Sequence, residues 1–170
     1  MGEVIFTKVR EVSFPSRGTE GSAGVDLYVP SFTADFRRAF SAKNALFIDE
    51  RAKPIIVDNM ISIPPHSQCF IPTGIKVLIP KGSALFAKNK GGVSFKQSIT
   101  KLAEVVDEDY TDEIFVTVVN YSKYDAHIKE GQKIIQLVRM PVYFDEWREI
   151  SNEMFAPHAT TRGSLGSTGV

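Results

Sequence analysis

The sequence predicts an all-β protein, folded as a sandwich or a barrel of short strands. Short runs rich in β-branched and aromatic residues alternate with proline and glycine along most of the chain. The run 114–120, I-F-V-T-V-V-N, is long enough to cross a sheet. The pattern lacks the regular alternation of strands and helices that is typical of βαβ units, and it contains no internal repeats.

Each predicted strand is a β-rich run bounded by turn residues. The prolines and glycines of 64–65, 72–74 and 80–82 supply the turns in the middle of the chain, where the strands follow one another closely. In chain order, the predicted strands are 3–9, 25–29, 55–57, 68–71, 75–79, 84–87, 114–120, 134–138 and 142–144.

The segment 31–53 departs from this pattern. Phe32, Phe36, Ala39 and Phe40 recur at roughly helical spacing. We therefore predict an inserted excursion that contains a helix.

Composition excludes several classes of protein. The 20 lysines and arginines equal the 20 aspartates and glutamates, so the chain lacks the basic surface that non-specific nucleic-acid binding needs. Cys69 is the only cysteine, which excludes an intrachain disulfide and a thiolate cluster. No apolar run approaches the ~20 residues that cross a bilayer, and the N-terminus lacks a signal pattern. We expect a soluble cytoplasmic protein with neither nucleic-acid nor membrane partners.

The C-terminal segment is suited to wrapping an oligophosphate. Glycines at 163, 166 and 169 allow backbone N–H groups to approach a ligand closely. Ser167 and Thr168 add hydroxyl donors, and Arg162 adds a permanent planar cation.

Five segments follow one another in an order that resembles the homotrimeric dUTPase family. They are A-G-V-D-L-Y at 23–28, the region 87–96, V-V-D-E-D-Y at 105–110 with E-I at 113–114, G-Q-K-I-I-Q-L-V at 131–138, and the glycine-rich tail. The resemblance implies a jelly-roll-like β-domain over 1–156, with the insertion at about 31–53 outside it. It also implies a flexible phosphate-closing tail over 157–170. Trimers with active sites between subunits follow from the resemblance alone.

The third segment carries the chemistry that the resemblance implies. Asp107 follows an apolar pair, which predicts a partly desolvated carboxylate at a strand end, suited to a general base. Similarity to the family assigns it the water that attacks the α-phosphorus of dUTP, giving dUMP and pyrophosphate. Tyr110 is assigned to the face of the deoxyribose, and main-chain groups of the hairpin, including Val106, are assigned to the pyrimidine.

The other segments are assigned to the triphosphate and its metal. The resemblance gives Asp26 a contact with the water shell of Mg²⁺, which neutralises a triphosphate while keeping several of its waters. Gln136 is placed near the α-phosphate. The tail is assigned to the rest of the nucleotide, with phosphate contacts from Arg162, Gly166, Ser167 and Thr168, and Leu165 covering the base.

The second segment departs from the family pattern. Lys90, Gly91 and Gly92 stand where an arginine and a serine usually bind phosphate, and lysine lacks the planar fork of arginine. Leu165 replaces a phenylalanine that commonly stacks on the base. Three alternatives therefore stay open. They are a nucleotide-binding regulatory protein with weak turnover, a relative of dCTP deaminase, and a pyrophosphatase for a modified pyrimidine, as in a viral nucleotide pool.

Overall fold

The protein is described by a computed structural model, in which residues 2–46 and 50–158 can be described. The predicted all-β class with an inserted helix is confirmed. The strands are β1 Ile5–Lys8, β2 Val25–Tyr28, β3 Ile55–Val57, β4 Met60–Ile63, β5 Gln68–Pro72, β6 Ile75–Leu78, β7 Ser83–Asn89, β8 Ile99–Lys101, β9 Val105–Val106, β10 Phe115–Asn120, β11 Ala126–Lys129 and β12 Lys133–Pro141. The helices are α1 Ala34–Asn44, α2 Gly91–Gln97 and α3 Asn152–Phe155.

These strands pair antiparallel in four small sheets around one core. Their orders are β1-β6, β5-β10-β8, β11-β4-β3 and β2-β12-β7-β9. The longest strand, β12, lies between β2 and β7 and so joins the first, second and fourth sequence segments in one sheet. Among the described residues, no helix combines the length and the apolar character needed to cross a membrane.

Helix α1 packs into the core instead of standing apart from it. Phe36 and Phe40 are buried in the same apolar cluster as the strands, and Phe32, Phe36 and Phe40 stack along one face. Thr33 begins the helix by accepting a hydrogen bond from the amide of Phe36. The insertion is therefore a structural part of the domain.

Asn44, the last residue of α1, fastens the helix to strand β5. Its buried side chain accepts a hydrogen bond from the amide of Phe70 at 2.9 Å and donates to the carbonyl of Phe70 at 2.8 Å. Because an amide side chain can pair with both groups of one backbone residue, Asn44 covers part of an edge of β5 as a neighbouring strand would.

The sequence missed several elements and placed one strand wrongly. Strands β4, β8 and β11 and helices α2 and α3 were not predicted, and each is short, whereas β9 was expected only as the strand end before Asp107. The strand predicted at 142–144 is wrong. The amide of Val142 bonds to Gly82 at 3.0 Å, but β12 ends at Pro141, and Tyr143 and Phe144 extend into solvent. A β-rich run forms a strand only where a partner strand lies beside it.

Candidate active site

Asp107 lies directly after the short strand β9, at the start of a tight turn. Val106 pairs with Leu85 of β7, and the amide of Tyr110 donates to the carbonyl of Asp107 at 3.1 Å, which closes the turn. Glu108 accepts a hydrogen bond from the amide of Gly82 at 2.6 Å and holds the turn against the start of β7. The predicted strand end is confirmed, but the predicted desolvation is wrong, because Asp107 is exposed in the single chain.

A cavity of about 200 Å³ opens beside this turn, and both Asp107 and Tyr110 line it. Val105, Val106, Ile114 and Phe115 complete its lining. Tyr110 is 39 % exposed, so its ring forms a cavity wall and is not part of the core. An acid group at the rim of a largely apolar cavity can hold a water against a ligand bound inside.

Burial raises the pKa of the Tyr110 phenol, and the nearby carboxylates of Asp112 and Glu113 raise it further, against the opposing charge of Lys76. The phenol therefore stays protonated and donates its hydrogen to the carbonyl of Glu113 at 2.8 Å. This hydrogen bond restricts the orientation of the ring at the cavity wall.

The first, second and fourth sequence segments meet in a separate cluster on the β2-β12-β7 sheet. Asp26 of β2 is fully buried and lies opposite Gln136 of β12, whose amide donates to the carbonyl of Gly24 at 3.4 Å. Position 24 requires glycine, because an added Cβ would overlap the carbonyl of Leu137. Strands β2 and β12 therefore approach closely at this point.

Two lysines bind the carboxylate of Asp26. Nζ of Lys90 lies 2.7 Å from one oxygen, and Nζ of Lys133 lies 2.9 Å from the other. Burial by itself raises the pKa of Asp26, but the hydrogen bonds from Lys90 and Lys133 outweigh it and hold the pKa below its ordinary value. The same contact raises the pKa of Lys133. Asp26 is therefore ionised, with one ammonium group close to each of its oxygens.

The metal role predicted for Asp26 stays a prediction. Its carboxylate is buried, and its Oδ2, although 2.9 Å from Nζ of Lys133, has no hydrogen-bond partner among the described residues. Within residues 2–46 and 50–158, there is no group of three or more His, Cys, Asp or Glu side chains arranged to hold a metal ion.

Lys90 immediately precedes helix α2, and the segment after it is open. Gly91 and Gly92 are exposed, and an added Cβ at either position would meet no described atom within 4 Å. The hydroxyl of Ser94 is buried and has no hydrogen-bond partner among the described residues. The side chain that could replace the missing serine of the second segment is thus close in sequence but turned away from solvent.

The two clusters lie apart in the single chain. Gln136 pairs with Lys88 on β7, whereas Val106 pairs with Leu85 on the same strand. Three residues of a strand span about 10 Å, so Asp107 lies at least that far from Gln136 along the sheet. The predicted residues are therefore brought together in two groups. Arg162, Leu165, Gly166, Ser167 and Thr168 lie outside the described residues.

Lys133 is the residue of this cluster that the sequence did not identify. It belongs to the fourth segment, G-Q-K-I-I-Q-L-V, three residues before Gln136. A register shift in β12 between Lys133 and Ile135 breaks the simple alternation of faces there. The sequence shows only that this lysine lies close to a predicted phosphate-binding glutamine. That position does not indicate that Asp26 is its partner.

Comparison with known proteins decides the family. The sequence model of the dUTPase family matches residues 55–169, which is more than half of the chain and begins after helix α1. The chain belongs to the dUTPase family. The resemblance found in the sequence is thus confirmed.

Named relatives of this dUTPase-family chain are deoxyuridine 5'-triphosphate nucleotidohydrolases. The one from Treponema denticola is 32 % identical over 137 residues, which cover 79 % of this chain and 77 % of that protein. The one from Candida albicans is 35 % identical over 108 residues, which cover 64 % of this chain and 68 % of that protein.

Solved structures share the fold. A dUTPase of Staphylococcus bacteriophage 80alpha with dUpNHpp aligns over 100 % of both chains, with a TM-score of 0.74 and 18 % identity. A dUTPase from phage phi11 of S. aureus, described with a structural Mg(II) ion, covers 89 % of this chain and 98 % of its own, with a TM-score of 0.67 and 17 % identity.

Proposed function

We propose that this protein hydrolyses dUTP to dUMP and pyrophosphate. The observation that carries the proposal is that Asp107 and Tyr110 line one cavity of about 200 Å³ in a chain of the dUTPase family. Two of its relatives are named for hydrolysis of this nucleotide. In the cell, this reaction would keep uracil out of DNA and supply dUMP, and we propose the cytoplasm as its location.

The proposed reaction is an in-line attack by water. Asp107 accepts a proton as the water oxygen bonds to the α-phosphorus, and the bond from that phosphorus to the bridging oxygen of the β-phosphate breaks. The exposed carboxylate of Asp107 supports this role, because a general base must reach the water that it deprotonates. Main-chain groups near Val106 would bind the uracil, and the Tyr110 ring would leave no room for a 2′-hydroxyl.

The second cluster would bind the phosphates. Lys90 would exchange the carboxylate of Asp26 for a phosphate oxygen, which is feasible because Lys133 would still pair with Asp26. The exposed backbone of Gly91 and Gly92 and the amide of Gln136 would supply further donors. From the sequence resemblance, we assign the other phosphate contacts to Arg162, Gly166, Ser167 and Thr168, and the cover of the base to Leu165.

Mg²⁺ would bind together with the nucleotide. The triphosphate itself supplies the hard oxygen ligands that Mg²⁺ prefers, and water completes its shell. We therefore propose Mg²⁺-bound dUTP as the substrate.

A homotrimer with active sites between subunits would unite the two clusters. Strands β12 and β9, which carry the two clusters, lie on opposite sides of β7, and this supports the assembly because one nucleotide would have to meet both clusters. The exposed aromatic side chains after β12 also support it. Tyr143, Phe144 and Trp147 are 83 %, 73 % and 100 % exposed, which is typical of surfaces that another subunit covers.

A second candidate function is nucleotide binding with little turnover. Two observations favour it. The ammonium of Lys90 is engaged by Asp26, and Gly91 offers no hydroxyl to a phosphate. In this case the protein would act as a nucleotide-dependent regulator.

Product analysis separates these functions. Purified protein would be given dUTP, dCTP, dTTP or UTP with Mg²⁺, and pyrophosphate, ammonia and bound nucleotide would be measured. We expect rapid pyrophosphate release from dUTP. Ammonia from dCTP would indicate a deaminase, stable binding without product would indicate the regulator, and preference for another pyrimidine would contradict uracil specificity.

The Asp107→Asn variant tests the proposed base. We expect turnover to fall at least about a hundred-fold, because the amide cannot accept the proton from water. The affinity for dUTP, measured by calorimetry, should stay close to that of the wild type. Asp109→Asn, on the same exposed turn, is the matched control and should retain activity. Loss of binding in Asp107→Asn would instead assign the residue a structural role.

A further inference from the structure

A buried ion pair lies directly behind the proposed deoxyribose wall. Nε and one terminal nitrogen of Arg10 donate to the two carboxylate oxygens of Glu113, each at 2.8 Å. The side chains are only 11 % and 10 % exposed. The amide of Gly74 adds a hydrogen bond to Glu113 at 2.7 Å. Glu113 is therefore held by three short hydrogen bonds, two of which fix it in the plane of the guanidinium.

Glu113 in turn holds Tyr110. Its main-chain carbonyl accepts the phenol hydrogen of Tyr110 at 2.8 Å. Tyr110 lines both the cavity of Asp107 and a neighbouring cavity of about 400 Å³ that Arg10 and Glu113 also line. A shift of the Glu113 backbone would therefore move the Tyr110 ring relative to Asp107.

Arg10 connects this arrangement to the inserted helix. The remaining terminal nitrogen of Arg10 forms an ion pair with Asp35, in the first turn of α1. Asp35 also pairs with Arg38 at 3.1 Å on the exposed side of the helix. The contacts thus run without a gap from α1, through Arg10 and Glu113, to the ring of Tyr110.

We propose that Asp35, Arg10 and Glu113 are positioning residues, through which helix α1 sets the Tyr110 ring and thereby the discrimination between deoxyribose and ribose. The inference rests on the proposed function in one respect, namely that the Tyr110 ring faces the sugar. A buried ion pair is weak evidence for stability by itself, since an apolar pair can often replace it at no cost. The contacts that run from Asp35 to the Tyr110 phenol indicate that the ion pair between Arg10 and Glu113 positions the Tyr110 ring.

The experiment compares two conservative variants of the ion-pair residues with a control variant on the exposed side of α1. Arg10→Lys keeps the positive charge but loses the planar fork that holds Glu113 and Asp35 together. Asp35→Asn weakens the link from Arg10 to α1 and also the surface pair with Arg38, which the control variant removes separately. Arg38→Ala is the matched control, because it removes the exposed partner of Asp35 and leaves Arg10 untouched. Each would be assayed for kcat/KM with dUTP and with UTP.

We expect the ratio of kcat/KM for dUTP to that for UTP to fall about five-fold in Arg10→Lys, the effect of weakening about one hydrogen bond that holds a group in place. Asp35→Asn should lower the ratio about two-fold on the same basis. Arg38→Ala should leave it unchanged. A folded Arg10→Lys variant with an unchanged ratio would overturn the proposal, because a purely structural ion pair alters stability without altering sugar discrimination.

A second readout does not depend on catalysis. NMR of protein with ¹³C-labelled tyrosine, with the Tyr110 signals assigned through Tyr110→Phe, reports the ring directly. We expect the Tyr110 signals to shift in Arg10→Lys and Asp35→Asn but not in Arg38→Ala. Unshifted signals in Arg10→Lys would overturn the proposal. If the wild type fails to hydrolyse dUTP, the proposed function fails, whereas the NMR comparison still decides whether α1 positions Tyr110.

Discussion

Asp26 shows how a single buried charge depends on its partners. Burial opposes its ionisation, yet the hydrogen bonds from Lys90 and Lys133 keep its pKa below the ordinary value of 3.8. Because the pKa is lower in the folded than in the unfolded protein, the ion cluster stabilises the fold fully above pH 3.8. This stabilisation is lost as the pH falls through the folded pKa.

We expect Asp26→Asn to lower the free energy of unfolding by about 3 kcal/mol at neutral pH, because two ammonium groups lose their buried counter-charge. The difference from the wild type should shrink as the pH falls below 3.8. Urea denaturation over a pH series measures both effects, with the exposed Asp109→Asn as the control. A difference that stays constant down to acid pH would contradict the ion-cluster account.

Gly91 is the residue at which a single hydroxyl can be restored. The structure has room for a serine there, since no described atom lies within 4 Å of an added Cβ. We expect Gly91→Ser to raise kcat/KM for dUTP about ten-fold, as one more hydrogen bond to a charged phosphate would do. Gly92→Ser, equally open, is the control. If the two variants behave alike, position 91 does not contact phosphate.

At the scale of elements, helix α1 lies outside the residues that the family model matches. The family match begins after it, at residue 55, yet its phenylalanines belong to the main core. Thr33 caps its start, and Asn44 joins its end to β5. The helix is therefore joined to the domain both through its apolar face and at its C-terminal end.

We expect Asn44→Ala to lower the free energy of unfolding by about 2 kcal/mol, because it leaves the backbone groups of Phe70 without the partner that Asn44 provides. Chemical denaturation measures the change. Ser41→Ala, an exposed substitution on the same helix, should change stability by less than about 0.5 kcal/mol. Equal effects of the two variants would show that the helix is not fastened through Asn44.

At the scale of the whole molecule, the two clusters of predicted site residues face different parts of the sheet. The base cluster contains Asp107 and Tyr110, and the phosphate cluster contains Lys90, Asp26 and Gln136. In the proposed homotrimer, one nucleotide would meet both clusters where two copies of the chain lie side by side. Subunit mixing can therefore test the proposed assembly directly.

We expect Asp107→Asn and Lys90→Ala subunits, each nearly inactive alone, to recover about one quarter of wild-type activity when they are refolded together in equal amounts. Random assortment gives that fraction of sites with both native residues, if the two come from different subunits. Asp107→Asn mixed with Tyr110→Ala is the control, since both changes affect one cluster, and it should recover no activity. Equal recovery in both mixtures would contradict a site shared between subunits.

The sequence by itself determined the fold class, the inserted helix and the family. These follow from local signals, such as the β-branched run of β10, the helical spacing of Phe32, Phe36 and Phe40, and five motifs in order. Short strands such as β4, β8 and β11 escaped prediction because their pairing depends on partners distant in the chain. For the same reason a β-rich run at 142–144 remained unpaired.

Tertiary structure alone decided what each predicted site residue touches. Asp26 meets Lys90 across 64 residues of sequence, and Arg10 meets Glu113 across 103 residues. No local pattern encodes such contacts, because charge pairs form wherever the folded sheets bring side chains together. The same folding exposed Asp107, buried Asp26 and divided the motifs into two clusters, since the direction of a side chain is set by strand register and not by its neighbours in the sequence.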